Sequence, residues 1–420
     1  MSDQVVQSQA PNKKIVVLIA CVAINLTIGV LYAWSVMTSK LTLPVAEGGF
    51  GWTGSQAGLP FSIAIIVLAL AVIIGGRVQD KIGPRWVATA SGLLTGSGMI
   101  LAGLSGNSVV GITVGFGVMA AFGMGVGYAS VTPPALKWFH PSKKGLISGL
   151  VVGGFGLSAV YFAPLANALL NRFGIEQTMI ILGVAIMVIC VVVAQLIKNP
   201  PPGYTPAAPA NLNQSATQAK AAPAKDFKWT EMIRSKRFCL MFLIFLLTSS
   251  GGVMIIGNVS RIAQTQANIS DTAILAGLVS FLAFMNAAGR VGGGKLSDRI
   301  GRINTLFVIL FLQMANMAAF AFYQSLPMLL VGIFVAGFCF GALLSVMPAL
   351  CADQFGLKNF GLNYGILFMA WGFSGVLVPI IANLIFDSTG SFNAAYTMCA
   401  LMMAAMILTN YLLKKEVTKA

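Results

Sequence analysis

Charge is scarce in this chain. Only 9% of its 420 residues are Asp, Glu, Lys or Arg, against about 25% in soluble globular domains. A single histidine, His140, stands beside Pro141. Hydrophobic residues make up 57%, and the mean hydropathy is +0.86. A soluble fold has too little interior to hide so much apolar surface. The composition therefore predicts an integral membrane protein and excludes secreted, disordered and disulfide-framework classes. Cys21, Cys190, Cys239, Cys339, Cys351 and Cys399 show no CxxC spacing. They lie in or beside apolar stretches and read as small buried hydrophobes rather than disulfide or metal partners. All eleven acids fall in loops or near the ends of apolar runs, and no P-loop is present. The chain thus lacks a membrane enzyme's acid–base set and an ATP-driven pump's motif. No enzymatic activity and no cofactor are expected.

What is present is length. About 20 apolar residues cross the hydrocarbon as a helix, and twelve such runs follow one another: 15–38, 53–76, 86–106, 108–131, 145–170, 178–197, 239–262, 272–294, 303–324, 326–349, 360–386 and 393–413. Lys13 and Lys14 before the first run resemble a signal peptide's start. That run is too long and no small-residue cleavage site closes it, so a retained anchor is expected. Lysine and arginine sort between alternate loops. One set holds Lys13, Lys14, Arg77, Lys81, Arg85, Lys137, Lys143, Lys144, the central linker basics, Lys295, Arg299, Arg302, Lys358 and the C-terminal lysines; the other holds Lys40, Arg172 and Arg261. By the positive-inside rule both termini are cytoplasmic, and the spans must be even in number. A multi-pass protein of the plasma (inner) membrane is expected. The net charge of +15 is then topological, and no nucleic-acid partner follows from it. Residues 198–238 are rich in Pro, Ala, Gln and Asn, a flexible linker. Its end, Lys225 to Arg234, mixes apolar and basic residues at helical spacing and predicts a short helix on the membrane surface.

The linker separates two similar halves, 1–197 and 239–420. Gly76-Arg77-Val78-Gln79-Asp80-Lys81-Ile82-Gly83-Pro84-Arg85 recurs as Gly294-Lys295-Leu296-Ser297-Asp298-Arg299-Ile300-Gly301-Arg302, offset by 218. Gly145/Gly361, Gly149/Gly365, Gly156/Gly372, Ser158/Ser374, Asn167/Asn383 and Gly174/Gly390 repeat at 216. A duplicated six-helix unit follows, and parallel repeats of that kind build transporters whose site lies between the halves. The expected fold is an all-α membrane protein: twelve transmembrane helices in two pseudo-symmetric six-helix bundles.

The doubled loop resembles the signature loop of the major facilitator superfamily. That resemblance implies gating loops, with Asp80, Arg85, Asp298 and Arg302 making charge contacts between helices in one gate state. Finer features resemble the monocarboxylate transporter and oxalate–formate antiporter branch. They are Leu31-Tyr32-Ala33-Trp34, Gly127-Tyr128, Lys137-Trp138-Phe139, Lys143-Lys144-Gly145-Leu146, Asn286-Ala287-Ala288-Gly289-Arg290 and Asn363-Tyr364-Gly365.

Arg290 is the one clear ionisable residue inside a span, about 12 Å deeper along its helix than Asp298. A charge there costs at least ~2.5 kcal/mol, so it normally faces a cavity and serves function. Asn286 sits one turn away on the same face. A guanidinium fork suits a carboxylate and stays charged. One buried positive charge predicts a monocarboxylate. In the oxalate-specific members a lysine stands in span eleven where this chain has Trp371. In animal monocarboxylate transporters an aspartate stands where this chain has Asn286. Aromatics at the expected wall positions are Tyr32, Tyr128, Phe155, Phe340, Phe368, Trp371 and Phe373, with Phe155 and Trp371 equivalent in the two halves; Gln56, Ser250 and Ser374 are weaker polar candidates. The expected function is secondary active transport of small, lactate- or pyruvate-like monocarboxylates by alternating access, as proton symport. Anion exchange of the oxalate–formate type and a non-transporting sensor are the alternatives. The expected partners are a small carboxylate, protons or a counter-anion, and the bilayer, with the monomer as the working unit.

Overall fold

The computed structural model describes residues 2–206 and 226–418, with side chains from Lys13 onward except those of Tyr32, Ala33, Ser35 and Thr272. The described residues are helical and include no strand. Spans one to four are Lys13–Leu41, Gly54–Ile82, Pro84–Leu104 and Val109–Trp138. Pro141–Ala194 follows as 54 residues of helix, about 80 Å at 1.5 Å per residue and far beyond one bilayer crossing. Gly174 breaks it at φ +76 and ψ −178, a backbone open only to glycine. The two arms are spans five and six. Spans seven to twelve are Lys236–Ala267, Ala273–Ile300, Arg302–Phe322, Leu326–Phe355, Phe360–Thr389 and Asn393–Thr418. The expected twelve spans are present.

The repeated sequence makes repeated turns. Gly83 and Gly301 adopt φ +89 and +88 with ψ 164 and 155, so spans two and eight turn into spans three and nine alike. Pro133 and Pro134 lie inside the continuous helix Ala121–Trp138, and the departure from the α form in span four is elsewhere. It occurs earlier, as a π segment over Thr113–Ala120, where Gly98 and Gly115 bring spans three and four together.

Spans two and eleven meet at Gly76 and Gly361, where a Cβ on either glycine would overlap the other's carbonyl oxygen. Spans five and eight meet identically at Gly145 and Gly294. Both closures lie at the end that carries the basic loops, here called the basic end.

Two expectations change. Cys239 is exposed at the start of span seven, while the other five cysteines are buried and all six are free. The surface helix shrinks to Trp229–Ile233, and the chain before it docks on protein instead. Phe227 N–H donates to the Phe355 carbonyl at 3.0 Å, and the Asn359 and Asn363 amides donate to the Phe227 carbonyl at 3.0 Å each. The Asp226 carboxylate accepts from Lys358 N–H at 3.0 Å, and the Phe227 ring meets Phe355 edge-on at 5.5 Å. These bonds tie the linker's end to the turn between spans ten and eleven. Local helical periodicity could not reveal them. Lys225 lies outside the described residues.

Candidate functional site

Arg290 is 1% exposed, and the sequence makes room for it in two places. Gly149 lets the backbone of span five approach the Arg290 carbonyl. One helical register further, a Cβ on Gly156 would stand 2.9 Å from the Arg290 Cζ and 3.0 Å from its Nε. The guanidinium therefore lies flat on span five, crossing from one half to the other. Its Nε donates to Asn286 Oδ1 at 3.0 Å and its Nη1 to the Val152 carbonyl at 2.5 Å. Both partners are neutral. No carboxylate pairs with Arg290 among the described residues, and its Nη2 makes no hydrogen bond to them. A buried cation without a counter-ion is a costly arrangement unless an anion completes it.

Beside it runs a chain of rings drawn from both halves. Phe155 meets Tyr128 edge-on at 5.4 Å, Tyr128 meets Phe368 at 5.1 Å, and Phe368 stacks on Trp371 at 4.9 Å. Phe245 of span seven joins at Phe368, 6.2 Å away. Pseudo-symmetric Phe155 and Trp371 thus stand at the two ends of this chain. Tyr364, one turn before Phe368, is also part of it, with ring centroids 5.7 Å apart. The Tyr364 hydroxyl is buried and makes no hydrogen bond among the described residues. Tyr364 stands in the Asn363-Tyr364-Gly365 stretch without a charge or a repeat to mark it as part of a site. Its i−4 spacing from Phe368 was the available signal.

Other candidates fall elsewhere. Phe340 is buried against Gly252 of span seven, apart from the ring chain. Phe373 is 48% exposed and packs beside Phe242. Gln56 caps the start of span two with Thr53, and the Ser250 hydroxyl donates to the Leu247 carbonyl at 2.6 Å. Ser374 is buried with its hydroxyl unpartnered among the described residues. Tyr32 belongs to the 3-10 turn Gly29–Ala33, and its side chain lies outside the described residues.

At the basic end, each signature aspartate caps a helix of the other half. Asp298 accepts from the N–H groups of Gly145 and Leu146 at 2.8 Å each. Asp80 accepts from Gly361 at 3.2 Å and Leu362 at 3.0 Å. Carboxylates at helix N-termini meet unpaired N–H groups and the positive end of the helix dipole. The expected role of the arginines changes. Arg302 stays in its own half, bonding Asp298 at 2.5 Å and Asp353 at 3.0 Å. Arg85 bonds Gln195 at 2.6 Å, also in its own half. Among the described residues, a side-chain ion pair that does cross is Lys144–Asp353 at 2.9 Å. Nothing in the sequence marks this pair, because it is not repeated: at the equivalent positions stand Phe360 and Lys137.

The glycine fit supplies a test. Gly156→Ala should displace the guanidinium and weaken carboxylate binding at least tenfold. Gly153→Ala should cost far less, because its Cβ would meet only ordinary contacts of 3.7 and 3.9 Å. Calorimetric affinities of the two purified variants check this. Equal losses would detach the effect from Arg290.

A family model described as Major Facilitator Superfamily matches residues 25–326 and 314–420. The chain is 29% identical over 367 residues to the uncharacterized MFS-type transporter YhjX of Escherichia coli (strain K12), covering 86% of this chain and 85% of that one. It is 24% identical over 364 residues to the oxalate:formate antiporter of Oxalobacter formigenes, at 86% and 81% coverage. Identity to monocarboxylate transporter 2 of Homo sapiens is 26% over 379 residues, at 85% and 77%. Among solved structures, the human organic anion transporter MFSD10 superposes with a TM-score of 0.69 at 12% identity, over 96% of this chain and 99% of that one. At that identity the likeness concerns the fold.

Proposed function

The chain belongs to the major facilitator superfamily of membrane transporters, and from that premise we propose that it carries small monocarboxylates by proton-linked alternating access. The observation behind this reading is Arg290, buried between the halves without a carboxylate partner among the described residues. Nη2 remains available to an incoming carboxylate, and the ring chain offers an apolar wall beside it. Resemblance to an oxalate:formate antiporter and a monocarboxylate transporter supports the same substrate class.

In this proposal, 1–197 and 239–420 rock as two bodies joined by 198–238, and the basic end faces the cytoplasm of a plasma (inner) membrane. The structure is closed at that end, through both aspartate caps and Lys144–Asp353. Substrate enters from the opposite side, and its negative charge neutralises Arg290 before the cavity shuts. Because Nη1 reaches Val152 across the interface, the cation senses both bodies at once.

Coupling follows from the same charge. The proton travels with the anion, and cavity water screens the empty Arg290 during return. The second reading is anion exchange, favoured by the absence of a carboxylate beside Arg290 among the described residues to hold a proton. Proteoliposomes separate them. Net uptake of lactate into anion-free vesicles under an inward proton gradient, lost with a protonophore, is the expected result. Uptake only with carboxylate preloaded inside would replace symport with exchange.

A further inference from the structure

The single histidine sits at a corner that the two halves build in parallel. His140 and Gly356 are equivalent at the offset of 216, as are Phe139 and Phe355, Ser142 and Lys358, and Gly145 and Gly361. In each corner a side chain accepts one backbone N–H. Lys358 N–H donates to the Asp226 carboxylate at 3.0 Å. Ser142 N–H donates to His140 Nδ1 at 3.3 Å, and the Ser142 hydroxyl lies 2.9 Å from the same nitrogen. A backbone N–H can only donate, so Nδ1 carries no proton here and the imidazole is neutral. Of these two acceptor types, the imidazole is the one that ordinarily changes charge between about pH 5 and 8.

His140 caps the turn Pro141–Lys143. Lys143 N–H donates to the His140 carbonyl at 2.9 Å, and Lys144 N–H closes on the Pro141 carbonyl. The bonds across the halves begin at once. Lys144 pairs with Asp353 at 2.9 Å, and Gly145 and Leu146 N–H hold Asp298 at 2.8 Å each. A proton on Nδ1 sets donor against donor at Ser142 and puts a charge in an unfavourable field. Lys143 stands in the turn, and Lys14 of span one lies over the Phe139 ring at 5.9 Å. The start of span five adds Lys144 and the positive end of a helix dipole. Span eight packs on the turn and carries Lys295, Asp298 and Arg299, with Asp298 already bound to Arg302. Burial and the neighbouring Lys143 hold the imidazole below its ordinary pKa.

We infer that His140 is a proton sensor for the basic end: protonated, it releases the Pro141–Lys143 turn and loosens the closure made through Lys144 and Asp298. The closed corner favours the neutral ring, so closure is full above about pH 6.5 and weakens as pH falls below it. Asp226, a carboxylate, keeps the equivalent corner of the other half fastened. In a carrier that brings protons in with its substrate, acid on the basic side then delays reclosure and slows further uptake. That brake rests on the proton-linked reading above; the sensor needs only a gate at the basic end.

The test reads thiol labelling of Ser148→Cys on a Cys239→Ser background, in the purified full chain, at about pH 7.5 and about pH 5.5. His140→Asn keeps a neutral acceptor at the cap and cannot titrate. The ratio of labelling with His140 to labelling with His140→Asn cancels the slowing of thiol chemistry by acid. It should be near one at the higher pH and rise about three- to tenfold at the lower, the span of one hydrogen bond and a displaced charge. His140→Ala, with no acceptor, should already label at the faster rate at the higher pH. A ratio that stays flat overturns the inference, and so does His140→Ala labelling as slowly as His140→Asn. Asp298→Asn serves as the opened reference. If it labels faster than its parent while the ratio stays flat, the role of His140 alone falls. If it labels no faster, no gate stands at the basic end, and the alternating-access reading falls with the inference.

Discussion

Arg290→Ala should raise the dissociation constant for a monocarboxylate by about thirtyfold or more and abolish saturable uptake. Truncating one partner of a buried, hydrogen-bonded charge pair costs about 2–5 kcal/mol, and each ~1.4 kcal/mol is a factor of ten. The lower bound applies if water enters the space that the guanidinium leaves. Arg290→Lys should also impair binding, because an ammonium cannot span Asn286 Oδ1, the Val152 carbonyl and a carboxylate from one planar fork. Asn286→Ala should do less, since it frees Nε without removing the charge. Calorimetry on variants with wild-type melting temperatures checks the order Arg290→Ala, Arg290→Lys, Asn286→Ala. Wild-type affinity in Arg290→Ala would remove the residue from the site altogether.

Much of this was written in the chain. Span length follows from apolar run length, and the Gly76, Gly145, Gly294 and Gly361 repeat carries the duplication in sequence alone. Arg290 stood out because a charge within an apolar run is expensive, and Asn286 because i−4 places it on the same face. Contacts between the halves were far less legible. Val152 and Gly156 lie 138 and 134 residues from Arg290 along the sequence, and Asp353 lies 209 residues from Lys144; helical period carries no information at that range. Lys144 and Asp353 both appeared as charges in loops, yet nothing local pairs them. The linker's end misled for the same reason: its spacing predicted a surface helix, while Phe355, Asn359 and Asn363 supplied hydrogen bonds that hold it on protein. Trp371 shows the opposite limit. Its position was readable as a replaced lysine, but that its N–H lacks an acceptor among the described residues can be seen only in three dimensions.

The closed basic end leads to the second large effect. Asp298→Asn should shift the protein toward the state open at that end by about 30- to 150-fold. The carboxylate accepts two N–H groups from the start of span five at 2.8 Å and is itself gripped by Arg302. Its side chain is 11% exposed, so water replaces little of this while the gate stays shut. Hydrogen bonds to a charged acceptor contribute about 1.5–3 kcal/mol each. An amide oxygen keeps only part of that, and a loss of about 2–3 kcal/mol gives the stated shift. All of these bonds across the halves exist only when span five is seated against span eight, so the loss falls on the closed state alone. Asp80→Asn should act in the same direction but more weakly. Its bonds are longer, at 3.2 and 3.0 Å, and no arginine grips it among the described residues. Gly294→Ala should resemble Asp298→Asn, because its Cβ would strike the Gly145 carbonyl. A thiol at buried Ser148, with exposed Cys239 replaced, reports the opening through its labelling rate from the basic side. Faster labelling in Asp298→Asn than in Asp80→Asn is the expected order. Unchanged labelling in both would mean that the caps do not hold the gate.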